Sequence, residues 1–285
     1  MLCKKPFMAG DMPYGCGWCI PCRITKQRIW VHRLMLEAYS HDTSLFITLT
    51  YEDENLPIID EKPCLKPVDP QLWIKRLRRA IQPRKLRYYL VGEYGSKTQR
   101  PHYHLALYGA KVTDIPLIDK TWGLGFAHYG DVTVQSARYI LGYVTKKMTK
   151  SDDPRLEGRY PEFSRSSNRP GIGAPAMQIL AETLFTKHGK NEIEILGDVP
   201  SQLRHGKKTY PLGRYLQQKL RDNVGMPDDY SQTKRYTYSL ELQALRQASD
   251  PSKAKSLQEI ITDANHQRRL QVEGLYNIRN SEKTL

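Results

Sequence analysis

The stretch that most constrains this chain runs from residue 86 to 109. LRYYLVGE and HYHLALYG are rich in β-branched and aromatic residues, and the polar run YGSKTQRP lies between them. That pattern predicts two antiparallel strands joined by a turn. Alternate side chains of a strand share a face, so His102 and His104 point the same way, about 7 Å apart. If Glu93 pairs opposite His102 it lies on that face too, and a one-residue slip would turn it away. Two imidazole nitrogens and a carboxylate then suit a divalent ion, with positions left for water and a phosphate oxygen. Taken alone, His-x-His reads as the polar face of an edge strand.

The surrounding pattern predicts an α/β fold of the α+β type: a central antiparallel sheet with flanking helices, and a mostly helical C-terminal extension. CRITKQRIWVHRLMLEAYSH reads as a basic helix and SLFITLTY (44–51) as a strand. VDPQLWIKRLRRAIQ reads as a helix with Asp69 as N-cap, Pro70 at its first position and Leu72, Trp73, Leu77 and Ile81 as its buried stripe. TWGLGFAHYGDVTV suggests a turn and a strand, and SARYILGYVTKKMTK a helix. After about residue 150, SDDPRLEGRYPEFSRSSNRPGIGAP has few apolar anchors and reads as loop. Three regions result: 1–40, a cysteine-bearing segment and basic helix; 41–175, the domain with the histidines; and 176–285, basic and largely helical.

With 285 residues, 39% hydrophobic and 26% charged, the chain can bury a core of globular size. Forty-four Lys plus Arg against thirty Asp plus Glu leave a formal +14, which puts polyanions, nucleic acid first, at the head of the candidate partners. Neither an eighteen-residue apolar run nor a signal-peptide core is present, so no membrane association is expected. Five cysteines, three of them packed as CGWCIPC, argue against a secreted disulfide framework and for a reducing cytoplasm.

Spacings of four and three place Tyr139, Tyr143 and Lys146 on one helix face. Tyrosines at i and i+4 on their own read as core packing. A phenol is also a nucleophile towards phosphorus, once a metal polarises the phosphate and a lysine stabilises negative charge. The phosphotyrosine it forms is a diester like the one it replaces, so resealing needs no ATP.

FITLTY (46–51), RPHYHLALYG (100–109) and YILGYVTKK (139–147) follow one another in an order that resembles the three motifs of the HUH endonucleases. With the paired tyrosines, the GEYG…RPHYH run and the opening YGCGWCIPCR, the chain looks most like the replication initiators of microviruses, particularly the gokushovirus group. The likeness covers about residues 1–175. It implies an HUH-like catalytic nicking domain over 41–175 and a rolling-circle initiator acting on viral origin DNA, single-stranded or locally melted. His102, His104 and Glu93 correspond to ligands of Mg2+ or Mn2+, which binds the scissile phosphate rather than generating hydroxide. Tyr139 and Tyr143 match the Tyr-x-x-x-Tyr nucleophiles, and Tyr143 with Lys146 the Tyr-x-x-Lys form. Two tyrosines about 5–6 Å apart on one face allow one to hold the 5′ phosphate while the other makes the second cut. The family also implies a host helicase and DNA polymerase as partners and the host bacterial cytoplasm as location. RPGIG and YPLGRYL look familiar as well but suggest no chemistry.

Three further features remain. Cys16, Cys19 and Cys22, with Cys3 or His32 as a fourth ligand, suit Zn2+, or else are free thiols packing the amino-terminal segment. KRLRRAIQPRKLR and TKKMTK offer phosphate contacts, or are simply solvated faces; Tyr88, Tyr89, Tyr94 and Trp122 offer surfaces for stacking bases, although most of them read as core. A relaxase or single-strand transposase of the same chemistry, a non-catalytic DNA-binding or packaging protein, and a metal-dependent phosphohydrolase stay open as other readings.

Overall fold

The computed structural model describes residues 2–9, 12–146, 151–226 and 256–281, together with 241, 244 and 247; of the described helices and strands, the side chains of 12, 143–146, 257 and 279–281 are not included. The elements in order are β1 (Phe7–Ala9), β2 (Met12–Tyr14), α1 (Ile20–Tyr39), β3 (Ser44–Thr50), β4 (Ile58–Ile59), β5 (Lys62–Pro63), α2 (Val68–Ala80), β6 (Arg87–Tyr94), β7 (Pro101–Tyr108), α3 (Ile115–Trp122), β8 (Ala127–Gly130), α4 (Val134–Lys146), β9 (Phe163–Ser166), α5 (Pro175–Leu184), α6 (Lys187–Leu196), β10 (Gln202–His205), β11 (Lys208–Pro211) and α7 (Gly213–Val224). Helices over Leu257–Ala264 and His266–Ser281 follow.

Five strands form an antiparallel sheet in the order β8-β3-β7-β6-β9, with the hairpin β6–β7 near its centre. The period-two alternation divides β7 cleanly. Tyr103, Leu105 and Leu107 face one side, where they pack with Ile47, Leu49 and Leu90 against Trp73, Ile74 and Leu77 of α2 and Trp122 of α3. His102, His104, Ala106 and Tyr108 face the other, which is covered by Val31 and Leu34 of α1 and Ala137, Ile140 and Leu141 of α4. The mixed fold expected from the patterns is the one observed.

Several local expectations change. α2 begins at Val68 with Pro67 at the cap position, because the Asp69 carboxylate accepts from the Tyr51 hydroxyl at 2.9 Å and is not available to cap. Leu72 is exposed rather than buried. The loop-like stretch after 150 contains β9, an edge strand that reads as polar because one of its faces meets solvent. Gly92 on β6 makes room for it: a Cβ there would lie 2.6 Å from the Phe163 ring.

α1 belongs to two cores. Val31 and Leu34 join the sheet, while Leu36 packs with α5 and α7 through Met177, Leu212, Leu216 and Leu220. The RPGIG stretch is the strap between them. Arg33 donates to the Ile172 carbonyl at 2.9 Å, the Gly173 N–H donates to Glu37 at 2.6 Å, and the Gly171 N–H donates to the Tyr215 hydroxyl at 2.7 Å. Gly171 is needed because a Cβ would sit 2.7 Å from that hydroxyl. RPGIG and YPLGRYL are therefore structural partners.

His32, a candidate zinc ligand by sequence, is used otherwise. Its Nδ1 lies 2.9 Å from the Pro211 carbonyl and must donate to it, so its Nε2 accepts from Nε2 of His205 at 3.0 Å. Protonating His32 would set two N–H groups head to head. Burial, opposed by the Pro211 contact and reinforced by His205, lowers its pKa from 6.5 to about 4. The unfolded chain therefore binds more protons between these values, and this contribution to stability is complete above pH 6.5 and lost as pH falls to about 4. Its slope is at most ~1.4 kcal/mol per pH unit. Thermal melting across that window should show a steeper acid loss for the native chain than for His32→Gln; parallel curves would remove His32 as the cause.

Candidate active site

The β6–β7 register pairs Glu93 with His102 and Val91 with His104, so the pairing that puts Glu93 on the histidine face is the observed one. β3 completes the floor, with Thr48 opposite His104 and Thr50 opposite His102. His104 is held from both sides: Nε2 lies 2.9 Å from Oε1 of Glu93, and Nδ1 lies 2.9 Å from Oγ1 of Thr48. Glu93 and His104 are both buried. The His102 ring is parallel to that of His104, at 6.2 Å between centroids. Burial, with His104 adding to it, lowers the pKa of His102, so it is held neutral with a lone pair to give. Its Nδ1 is buried without a well-formed hydrogen bond. Gly95 follows the strand because a Cβ there would lie 2.8 Å from Cε1 of that ring.

The tyrosine helix crosses this face. Ala137, Ile140 and Leu141 bury its inner side, leaving Tyr139 half exposed at the rim. The Tyr139 ring stands edge-on to His104, at 5.2 Å between centroids, and edge-on to Phe46 at 6.2 Å. Tyr143 and Lys146 lie on the backbone of α4, but their side chains fall outside the described residues, as does the rest of TKKMTK from 147. Phe46 and Thr48 lie in the FITLTY stretch, but that stretch did not single them out as site residues; only the register brings them to His104. His128, opposite Thr48 on β8, adds a third and exposed imidazole to the same face.

Glu93, His102 and His104 match the donor chemistry of a divalent cation. Glu93 and His104, in contact at 2.9 Å, and His102 beside them are the residues that would hold such a cation. Among the described residues, the only group of three or more His, Cys, Asp or Glu residues whose ligand atoms all lie within 4.8 Å of one another is Cys3, Cys16, Cys19 and Cys22.

The structure narrows two readings of nucleic-acid contact. Tyr89, Tyr94 and Trp122 are buried in the cores and present no free ring; Tyr88 is partly buried beneath Arg78. The basic run 75–87 rides mainly on α2, on the opposite side of the sheet from the histidines. Several of its arginines serve the fold: Arg78 donates to the Leu86 carbonyl, and Arg84 forms a two-pronged pair with Asp114 at 2.6 and 2.8 Å.

A sheet with this face and this helix defines the architecture, and comparison with known proteins shows what the chain is similar to. Residues 44–152, from the start of β3 to just past α4, match the family model for replication-associated proteins of the ORF2 type. The chain is 30% identical over 196 residues to replication-associated protein VP4 of Bdellovibrio phage phiMH2K, covering 61% of this chain and 60% of that one. It is 31% identical over 190 residues to replication-associated protein ORF2 of Spiroplasma virus 4, covering 60% and 58%. Replication-associated protein ORF4 of Chlamydia phage 1 is 26% identical over 167 residues, covering 50% and 40%. The alignments thus span about 60% or less of these relatives. No solved structure matches. Over these stretches the chain is thus similar to replication-associated proteins of phages. Among the described residues, no helix is long and apolar enough to cross a membrane.

Proposed function

We propose that this protein initiates rolling-circle replication as an HUH nickase, cutting the viral strand at an origin through a tyrosine and rejoining the ends of the displaced circle. The observation that carries this reading is the 5.2 Å contact between the Tyr139 ring and His104, which sets a candidate nucleophile beside the candidate ligands. Glu93, His102 and His104 would hold Mg2+ or Mn2+, which supplies Lewis-acid polarisation of the scissile phosphate.

The chain's own groups account for the rest. Thr48 and Glu93 fix the orientation of the His104 ring; for its Nε2 to ligate, the ring proton would sit on Nδ1, where the Thr48 hydroxyl can accept it. The phenolic oxygen of Tyr139 or Tyr143 forms a bond to phosphorus as the 3′ oxygen leaves; the phenol gives up its proton and the departing oxygen gains one. The Lys146 ammonium, at the spacing noted above, would offset negative charge in that transition state. A single-stranded or locally melted origin suits the site, because nucleophile and phosphate must align without a duplex in the way. Host helicase and polymerase follow as partners from the need to unwind the duplex and extend the 3′ hydroxyl, and the host bacterial cytoplasm as the place of action.

The test is an origin oligonucleotide labelled 3′ of the cut, incubated with Mn2+ and resolved on a denaturing gel. Tyr139→Phe and Tyr143→Phe should each reduce the covalent adduct, and the double variant should lose it completely. Cleavage that survives in the double variant rules out tyrosine chemistry. Repeated turnover without an adduct would instead mark a phosphohydrolase.

A further inference from the structure

We infer that Cys3, Cys16, Cys19 and Cys22 form a structural zinc centre that ties the amino-terminal segment to the first turn of α1. The four Sγ atoms all lie within 4.8 Å of one another, and none is in a disulfide. A single zinc with Zn–S bonds of about 2.3 Å places its tetrahedral sulfurs about 3.8 Å apart. The Cys3 and Cys19 sulfurs are 3.8 Å apart.

The chain path builds the quartet from two separate pieces. β1 and β2 pair with Phe7 opposite Tyr14, and this hairpin returns the chain so that Cys3 meets the C-x-x-C-x-x-C run. Cys19 is the N-cap of α1 and Cys22 sits in its first turn. Two backbone amides point at sulfur rather than oxygen: Cys16 N–H donates to Sγ of Cys3 at 3.2 Å, and Cys19 N–H to Sγ of Cys16 at 3.4 Å. Amides so directed, together with the positive end of a twenty-residue helix, favour thiolates, the form that binds metal. A multi-iron cluster would spread its cysteines wider than one ion does, which makes zinc the better fit.

The role follows from how little else holds the segment. Its strands have three residues each, too short to be stable alone. Phe7 and Trp18 are exposed, so the segment contributes little core. α1 in turn lies along α4, where the Gln27 amide donates to the carbonyl of Arg138, the residue before Tyr139. Zinc would therefore order residues 2–19 and brace the helix against which the tyrosine helix rests. Where a site exists only in the folded chain, its binding free energy is folding free energy.

The full chain, purified without chelator from zinc-supplemented cells, should contain one zinc per chain. Titration with an organomercurial thiol reagent should release it as the four clustered thiols react. Cys16→Ser/Cys19→Ser should lose the zinc completely, whereas Cys64→Ser, whose thiol is buried beside Tyr94, should keep it. In case the double variant fails to fold, Co2+ added to the stripped native chain should give the thiolate charge-transfer absorption of a tetrahedral tetrathiolate site. Hydrogen exchange should show residues 2–19 losing protection on stripping while β3, β6 and β7 keep theirs. A native chain without zinc, one carrying iron and sulfide, or a folded double variant that retains zinc would each overturn the inference. None of these readouts depends on nicking.

Discussion

Replacing His104 with alanine is expected to reduce formation of the covalent DNA adduct by at least roughly 10²–10³-fold, the usual cost of removing one preorganised electrostatic group from an active site. His104 is the member of the trio with the most constraints on it. Glu93 holds one ring nitrogen, Thr48 the other, and Tyr139 stands against the ring edge. Truncation would remove a candidate ligand and the wall beside the candidate nucleophile, and leave the buried Glu93 carboxylate without its imidazole. A graded comparison separates these effects from general damage. Thr48→Val keeps the shape of the side chain and deletes the hydroxyl, so it should cost about 10–100-fold, as loss of an outer partner to a ligand does. Activity of Thr48→Val should recover at raised Mn2+, and that of His104→Ala should not. Wild-type adduct levels in a folded His104→Ala variant would dismiss the metal assignment.

The second large effect concerns stability. Glu37, on α1, is fully buried and gathers three donors: the guanidinium of Arg87 on β6, Nε2 of His41 at 3.2 Å and the N–H of Gly173 at 2.6 Å. Arg87 also donates to the Pro170 carbonyl at 2.8 Å, so one carboxylate links α1, the central hairpin and the RPGIG strap. Burial alone would raise its pKa, but the bonds from His41 and Arg87 outweigh it and lower the pKa from 4.5. Its contribution is thus present above pH 4.5 and lost as pH falls from there through the folded value. Glu37→Ala leaves Arg87 without its carboxylate partner and should destabilise the fold by about 3–5 kcal/mol. At about 2–4 °C per kcal/mol for a chain near this size, melting should fall by roughly 10 °C. Adding Arg87→Ala should cost less than the sum of the two single changes, because the orphaned charge goes with it. Melting unchanged in Glu37→Ala would show that this hub carries no net stability.

The features readable from sequence were those with short periods. The β6–β7 hairpin, the shared face of His102 and His104 and the register that brings in Glu93 lie within about twenty residues, where alternation and one turn suffice. β9 was missed because an edge strand keeps polar residues on its solvent side, and the core reading of Tyr89, Tyr94 and Trp122 could be settled only in three dimensions, because an aromatic ring looks alike in a core or on a surface. RPGIG and YPLGRYL carried no visible role, since their meaning is each other.

By itself, then, the amino-acid order determined the strand pair, the orientation of its two imidazoles and the helical spacing of the tyrosines, because each depends on backbone periods of two or 3.6 residues. Only the tertiary structure decided that Tyr139 meets His104, that Thr48 grips the same ring, that the basic helix α2 lies behind the sheet, and that Cys3 rather than His32 joins the other cysteines. Those outcomes depend on which face each long connection crosses, and that choice is made by burying apolar surface across the whole chain rather than by any local run of residues.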